Sequence, residues 1–118
     1  MQADRELAFA DATEIRNRIV TKDLSPVEVT QMYLNRIERL DPQLNSYLTV
    51  TADKALKAAR SAERSVLRGE TLGLLHGIPI SIKDSENTKG IRTTMGSLIY
   101  RDNIPIKNSL PVERLIKS

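Results

Sequence analysis

Hydrophobic and polar positions follow two periods along the chain, and together they predict four helices and one strand. Over most of the sequence the apolar residues recur every three or four positions, which is the spacing of an amphipathic helix. Between two of these stretches the period changes to two, which is typical of a strand. The predicted helices cover residues 11–22, 26–40, 52–68 and 110–117, and the predicted strand covers residues 78–83.

Start and stop signals support the helical assignments. Asp11 can cap the first helix, and Ser25 followed by Pro26 and Glu28 forms a capping box with proline at the first helical position. Asp41-Pro42 predicts the end of the second helix, because the residue before a proline is pushed away from helical geometry. Gly69 fits the position just after the third helix.

The central strand is predicted from Ile78, Ile80 and Ile82, which alternate with small residues and then with Lys83. Two further segments, residues 45–50 and 91–100, carry strand-forming residues and are weaker candidates for short strands. Strands flanked by helices predict an α/β fold class. Two or three strands make too narrow a sheet to cover the central one, so self-association through unpaired strand edges is also expected.

Lys83 is the candidate functional residue, because it ends the central strand on a face that otherwise holds only small residues. Partial burial would disfavour its charged form and would let the amine accept a proton. The alternative is structural: Lys83 would mark the point where a core strand meets solvent, with its stem packed and its amine in water. The residues alone leave both interpretations open.

Composition excludes several classes of function. The net charge is only +3, and with three Tyr, one Phe and no Trp there is no aromatic platform for single-stranded nucleic acid. The chain has no cysteine and a single histidine, His76, so neither a disulfide nor a metal site is predicted. No apolar run approaches the roughly 20 residues needed to span a bilayer. We therefore expect a cytoplasmic protein that binds neither nucleic acid nor membrane.

Three segments together resemble the amidase signature family. They are Gly77-Ile-Pro-Ile-Ser-Ile-Lys-Asp84, Thr88-Lys-Gly90 and Thr93-Thr-Met-Gly-Ser97, in the same order as in that family. The resemblance implies a Ser–cis-Ser–Lys triad that acts on amides, with Lys83 in the position of the catalytic lysine and with no cofactor. It also implies that the chain is the amino-terminal helical layer and the first strands of a large mixed-sheet fold, as one partial amidase domain over residues 1–118.

Both serines of that triad are missing from this sequence. The family carries them in a glycine- and serine-rich segment downstream of the lysine, and no Gly-Ser-Ser-Gly run occurs here. We therefore expect residues 1–118 alone to be inactive. Neighbours on a strand point to opposite faces, so a direct ion pair between Asp84 and Lys83 is not expected. Asp84 is instead interpreted as orienting the loop that follows it. No residue is assigned to substrate binding.

Three functions remain open at this stage. The leading one is an amidase-type hydrolase that cleaves the C–N bond of a small carboxamide. The second is the amidotransferase branch of the same family, in which an A-type subunit works in a transfer-RNA-dependent complex. The segment Met95–Tyr100 looks more like the general amidases, which ranks the second function lower. The third is a non-catalytic interaction module derived from the family.

Overall fold

The computed structural model describes the backbone of residues 2–118 and the side chains of residues 6–118. These residues form five α-helices and one short 3₁₀ turn. The helices are α1 (Gln2–Phe9), α2 (Ala12–Val20), α3 (Pro26–Leu44), α4 (Ala52–Leu67) and α5 (Leu110–Lys117), and the 3₁₀ turn is Leu98–Tyr100. The chain divides into two compact units, residues 1–79 and residues 80–118. No helix in the described part of the chain is long and apolar enough to cross a membrane.

The predicted capping signals are present at the helix ends. The Asp11 carboxylate accepts a hydrogen bond from the Glu14 amide at 2.8 Å, and Ser25 and Glu28 form the full capping box of α3. After α4, Gly69 adopts a positive φ of 68°. The Gly69 and Glu70 amides then donate back to carbonyls of the last helical turn, at 3.1 Å each. This is the Schellman arrangement, which favours glycine at that position.

Helix α3 is one turn longer than the sequence predicted. It continues through Asp41 and Pro42 to Leu44, so the prediction that this dipeptide ends the helix was wrong. Proline removes only one amide donor, and the Asn45 amide still bonds to the Asp41 carbonyl at 2.7 Å. The Asp41 carboxylate also accepts the amides of Ser46 and Tyr47. These bonds move the end of the helix to Asn45, which is left-handed with φ 51°.

The first unit is a helical layer with its own apolar core. Helix α3 packs against α4 and α1. The buried core residues come from the helices and the connections between them: Leu7, Ile15, Ile19, Leu24, Val29 and Val66. The Ser25 hydroxyl donates a hydrogen bond to the Glu63 carboxylate, which connects the start of α3 to α4. The helical layer expected from the family resemblance is therefore organised around the first turn of α3.

The second unit is built from two loops, residues 87–93 and residues 103–109, whose backbones are hydrogen-bonded to each other. The Gly90 amide donates to the Pro105 carbonyl at 2.9 Å, and the Thr93 amide donates to the Asn103 carbonyl at 2.9 Å. The Ser109 amide donates to the Asn87 carbonyl at 2.8 Å and continues the same pairing. These bonds are too irregular to make a strand ladder, but they fix both loops ahead of α5.

The predicted strands are not formed in the described residues. Residues 78–83, 45–50 and 91–100 are loop or turn, apart from the 3₁₀ turn at Leu98–Tyr100. Alternating side chains specify a strand only where a neighbouring backbone is available to pair with it. Residues 78–83 have no strand beside them in the described part of the chain, and Ile80 and Ile82 are 43% and 36% exposed. The first strands of the predicted α/β fold are therefore not seen in the described residues.

Candidate functional site

Lys83 lies on the surface of the second unit, at the end of the extended segment 78–83. The expectation that it ends a buried strand was wrong, because the segment forms no strand and Lys83 itself is exposed. Its carbonyl accepts the Glu86 amide at 2.9 Å, which turns the chain immediately after the lysine. The backbone at Lys83 is therefore fixed while its amine remains accessible.

Asp84, the residue after Lys83, is hydrogen-bonded to the loop of residues 93–97. Its carboxylate accepts the Thr94 amide at 2.8 Å and the Gly96 amide at 3.2 Å, and it also accepts the Thr94 hydroxyl. The Asp84 carbonyl accepts the Met95 amide at 3.0 Å. One residue thus binds three consecutive residues of a segment ten or more positions away.

This binding shapes the backbone at Met95 and Gly96. Both residues are left-handed, with φ of 52° and 66°. Glycine adopts this conformation freely, whereas a residue with a side chain seldom does. The hydrogen bonds to Asp84 on either side of Met95 offset that cost and fix the conformation of the loop.

The same hydrogen bonds lower the pKa of Asp84. The largest causes are the hydroxyl and the amide of Thr94, and the Gly96 amide and the positive charge of Arg92 act in the same direction. Partial burial of the carboxyl opposes them without reversing the shift. Asp84, which follows Lys83 in the sequence, is therefore an anion at neutral pH.

Asn103 holds the second loop against the first. Its side-chain amide donates to the Thr93 carbonyl at 2.9 Å, while its own carbonyl accepts the Thr93 amide. Thr93 and Thr94 are 3% and 7% exposed, so this junction is the best buried part of the site. Sequence reasoning assigned no role to Thr94 or Asn103. The signal available for Thr94 was its place in the Thr93–Ser97 segment. Asn103 before Ile-Pro105 predicted a turn, but nothing in the sequence pointed to its contact with Thr93.

His76 belongs to the first unit and serves its packing. One ring nitrogen lies 3.0 Å from the Ala62 carbonyl in α4, and the ring is half-buried. No group of three or more side chains suited to a metal ion occurs among the residues that the structure describes. The site of the second unit therefore consists of the exposed amine of Lys83, the hydrogen-bonded carboxylate of Asp84 and the loop of residues 93–97, whose conformation those hydrogen bonds fix.

The amidase family model matches residues 28–118. This range includes Lys83, Asp84 and the Thr93–Ser97 loop, and it covers most of the chain. The chain belongs to the amidase signature family. The resemblance inferred from the three sequence segments is confirmed.

The relatives that the chain matches include both an amidotransferase subunit and an amidase. The chain is 42% identical over 110 residues to the A-type subunit of glutamyl-tRNA(Gln) amidotransferase from Carboxydothermus hydrogenoformans, covering 93% of this chain and 23% of that protein. It is 45% identical over 105 residues to AmiD, a predicted amidase of Mycobacterium bovis, covering 89% of this chain and 22% of that protein. The chain therefore spans less than a quarter of either relative.

A solved structure supports the fold. The backbone is similar to that of a bacterial aryl acylamidase of the amidase signature family, with a TM-score of 0.76 and 32% sequence identity. The similarity covers 81% of this chain and 20% of the acylamidase. The helical layer and the two loops thus form part of an amidase signature fold.

Proposed function

We propose that residues 1–118 supply the lysine of a Ser–cis-Ser–Lys site to an amidase-type enzyme that hydrolyses small carboxamides. The observation that carries the proposal is Lys83, an accessible amine on a backbone fixed by the Asp84–Thr94 hydrogen bonds, inside the matched residues 28–118. Lys83 is the proton acceptor of the site. Asp84 orients the loop of residues 93–97 and does not react.

The chemistry requires two hydroxyl groups that this chain does not provide. Lys83 accepts the proton of the cis-serine, which in turn accepts the proton of the nucleophilic serine as that oxygen attacks the amide carbon. The C–N bond then breaks, the amine or ammonia leaves with the proton that Lys83 had accepted, and water hydrolyses the resulting acyl-serine to a carboxylic acid and restores the serine. An exposed lysine suits this role, because the remainder of an amidase domain can pack over it and disfavour its ammonium form.

A second candidate function is favoured by one specific observation. The 42% identity to the Carboxydothermus amidotransferase protein is close to the 45% identity to AmiD. As an A-type subunit of a transfer-RNA-dependent complex, the protein would use the same Lys83 chemistry to release ammonia for transfer within that complex. The Met95–Tyr100 segment looks more like the general amidases and keeps hydrolysis as the leading proposal.

Two chimeras distinguish these functions. In the AmiD chimera, this chain replaces the matching amino-terminal stretch of AmiD, and ammonia release is followed with a panel of aliphatic and aryl amides. In the amidotransferase chimera, it replaces the matching stretch of the Carboxydothermus protein within the assembled complex, and amidation of glutamyl-tRNA(Gln) is followed. The 118-residue chain alone serves as the control for both.

We expect the AmiD chimera to release ammonia and the chain alone to remain at background. Activity in the amidotransferase chimera only would transfer the proposal to the amidotransferase branch. A folded AmiD chimera without turnover, together with an inactive amidotransferase chimera, would contradict both functions. Turnover by the chain alone that disappears in Lys83→Ala would reveal a complete site within these 118 residues and would also contradict the proposal.

A further inference from the structure

Asn103 joins the two paired loops of the second unit through both its side chain and its backbone. Its side-chain amide donates to the Thr93 carbonyl at 2.9 Å, and its own carbonyl accepts the Thr93 amide at 2.9 Å. We propose that Asn103 is a positioning residue for Lys83 and acts through the loop that begins at Thr93. The inference rests on the proposed function for the role of Lys83, and it adds to that site a residue outside the triad.

Thr93 and Thr94 connect Asn103 to Asp84. Both threonines are buried, and the two hydrogen bonds to Asn103 fix the backbone of Thr93. Thr94 follows directly, and its amide and its hydroxyl both donate to the Asp84 carboxylate. A displacement of Thr93 would therefore misalign two of the donors that Asp84 receives, because a hydrogen bond weakens steeply when it is bent.

Asp84 connects this loop to the backbone of Lys83. Its carboxylate accepts the amides of Thr94 and Gly96, and its carbonyl accepts the Met95 amide at 3.0 Å, so both its side chain and its backbone are held. Lys83 shares a planar peptide bond with Asp84. Since the amine of Lys83 is exposed, its position depends on the backbone from which the side chain extends. A displaced loop would move that backbone and take the amine out of reach of the proton that it accepts.

Asn108 provides a matched control, because it joins the same two loops through the opposite kind of hydrogen bond. Its side-chain oxygen accepts the Lys89 amide at 2.7 Å, whereas the side chain of Asn103 donates. Both asparagines are half-buried. An ionised aspartate has nearly the shape of asparagine and accepts hydrogen bonds, but it cannot donate them. Substitution by aspartate therefore removes the side-chain bond at Asn103 and keeps the one at Asn108.

Turnover of the AmiD chimera measures the effect on catalysis. We expect Asn103→Asp to lower kcat roughly 10-fold, because the Thr93 carbonyl loses its donor and faces a carboxylate instead. KM should stay the same, since a positioning residue acts on the proton acceptor and not on substrate binding. Asn108→Asp should keep both constants unchanged. Thermal melting of the two variants, measured in parallel, identifies any loss of folding.

The titration of Asp84 in the 118-residue chain tests the same coupling without turnover. The donors of Thr94 lower the pKa of Asp84, so loosening Thr94 should raise it. We expect Asn103→Ala to move the midpoint recorded at the Thr94 and Gly96 amide resonances in NMR spectra upwards, towards the ordinary aspartate value of about 3.9. Asn108→Ala should leave that midpoint unchanged. A general loss of stability does not change the pKa of a carboxyl in molecules that remain folded.

Three results would overturn the inference: equal kcat of the Asn103→Asp and Asn108→Asp chimeras, a loss of activity in Asn103→Asp that lies in KM alone, or an Asp84 midpoint that Asn103→Ala does not move. Failure of the proposed function is seen separately, as turnover that survives Lys83→Met or as an AmiD chimera with no turnover. In that second case the Asp84 midpoint decides alone: a shift in Asn103→Ala would support the positioning role, and no shift would contradict it.

Discussion

At the scale of single residues, Asp84 shows how one carboxylate can organise a functional loop. It receives the Thr94 amide at 2.8 Å, the Gly96 amide at 3.2 Å and the Thr94 hydroxyl. These donors stabilise the charged form of the carboxyl, which is why its pKa is lowered. By linkage, the ionised form stabilises the folded loop to the same extent as folding lowers the pKa.

The pH dependence of the loop follows from this sign. The contribution of Asp84 is complete above the ordinary aspartate pKa of about 3.9 and is lost as the pH falls through the lower value of the folded chain. We expect the amide proton resonances of Thr94 and Gly96 to titrate with a midpoint below about 3.9 in NMR spectra. Asp84→Asn should abolish this step.

Asp102 provides the control for that titration. It is exposed and pairs with its neighbour Arg101, at 3.2 Å. Asp102→Asn should leave the Thr94 and Gly96 titration unchanged. A midpoint at or above the ordinary aspartate value, or a step that persists in Asp84→Asn, would contradict the role given to Asp84.

At the scale of elements, Gly77 sets how closely the chain can pack against the start of α3. A Cβ atom at Gly77 would lie 2.9 Å from Pro26 Cγ in the first turn of α3 and 3.3 Å from Ile19 Cδ1 in α2. Its φ of 78° is also left-handed. Glycine is therefore required both by backbone conformation and by close packing.

Gly77→Ala should destabilise the chain more than Gly69→Ala. Gly69 is left-handed as well, with φ 68°, but nothing lies within 4 Å of a Cβ built there. We expect Gly69→Ala to cost roughly 1 kcal/mol for its backbone alone. Gly77→Ala should cost a further 1–3 kcal/mol or so for the overpacking against Pro26. Urea denaturation of both variants measures the difference, and equal losses would contradict the packing account.

The sequence predicted the helices better than it predicted the segments between them. Capping by Asp11 and Ser25 depends on groups three residues apart, so it can be inferred from the local sequence. The extended segment with Ile80 and Ile82 shows the opposite case, because pairing of a strand depends on backbone that is distant in sequence. The hydrogen bonds from Thr94 to Asp84 and from Asn103 to Thr93 span ten residues and could not be inferred from periodicity.

At the scale of the whole molecule, the chain combines a helical layer that carries no identified chemistry with a smaller unit that carries Lys83. It spans 22–23% of the length of the two relatives described above. On the proposed function, the helical layer is structural, and the two serines that complete the site come from the rest of an amidase domain. The account therefore depends on whether Lys83 accepts a proton in such a domain.

Turnover of the AmiD chimera with Lys83→Arg and Lys83→Met tests this claim most directly, with thermal melting measured in parallel. Lys89→Met, at another exposed lysine of the same unit, is the matched control. We expect both Lys83 variants to lose several orders of magnitude in turnover with little change in melting temperature. Arginine keeps the positive charge but cannot accept a proton, and methionine has no group that can accept one. Lys89→Met should stay active. Activity retained in Lys83→Arg would make Lys83 an electrostatic anchor, and activity retained in Lys83→Met would exclude it from catalysis.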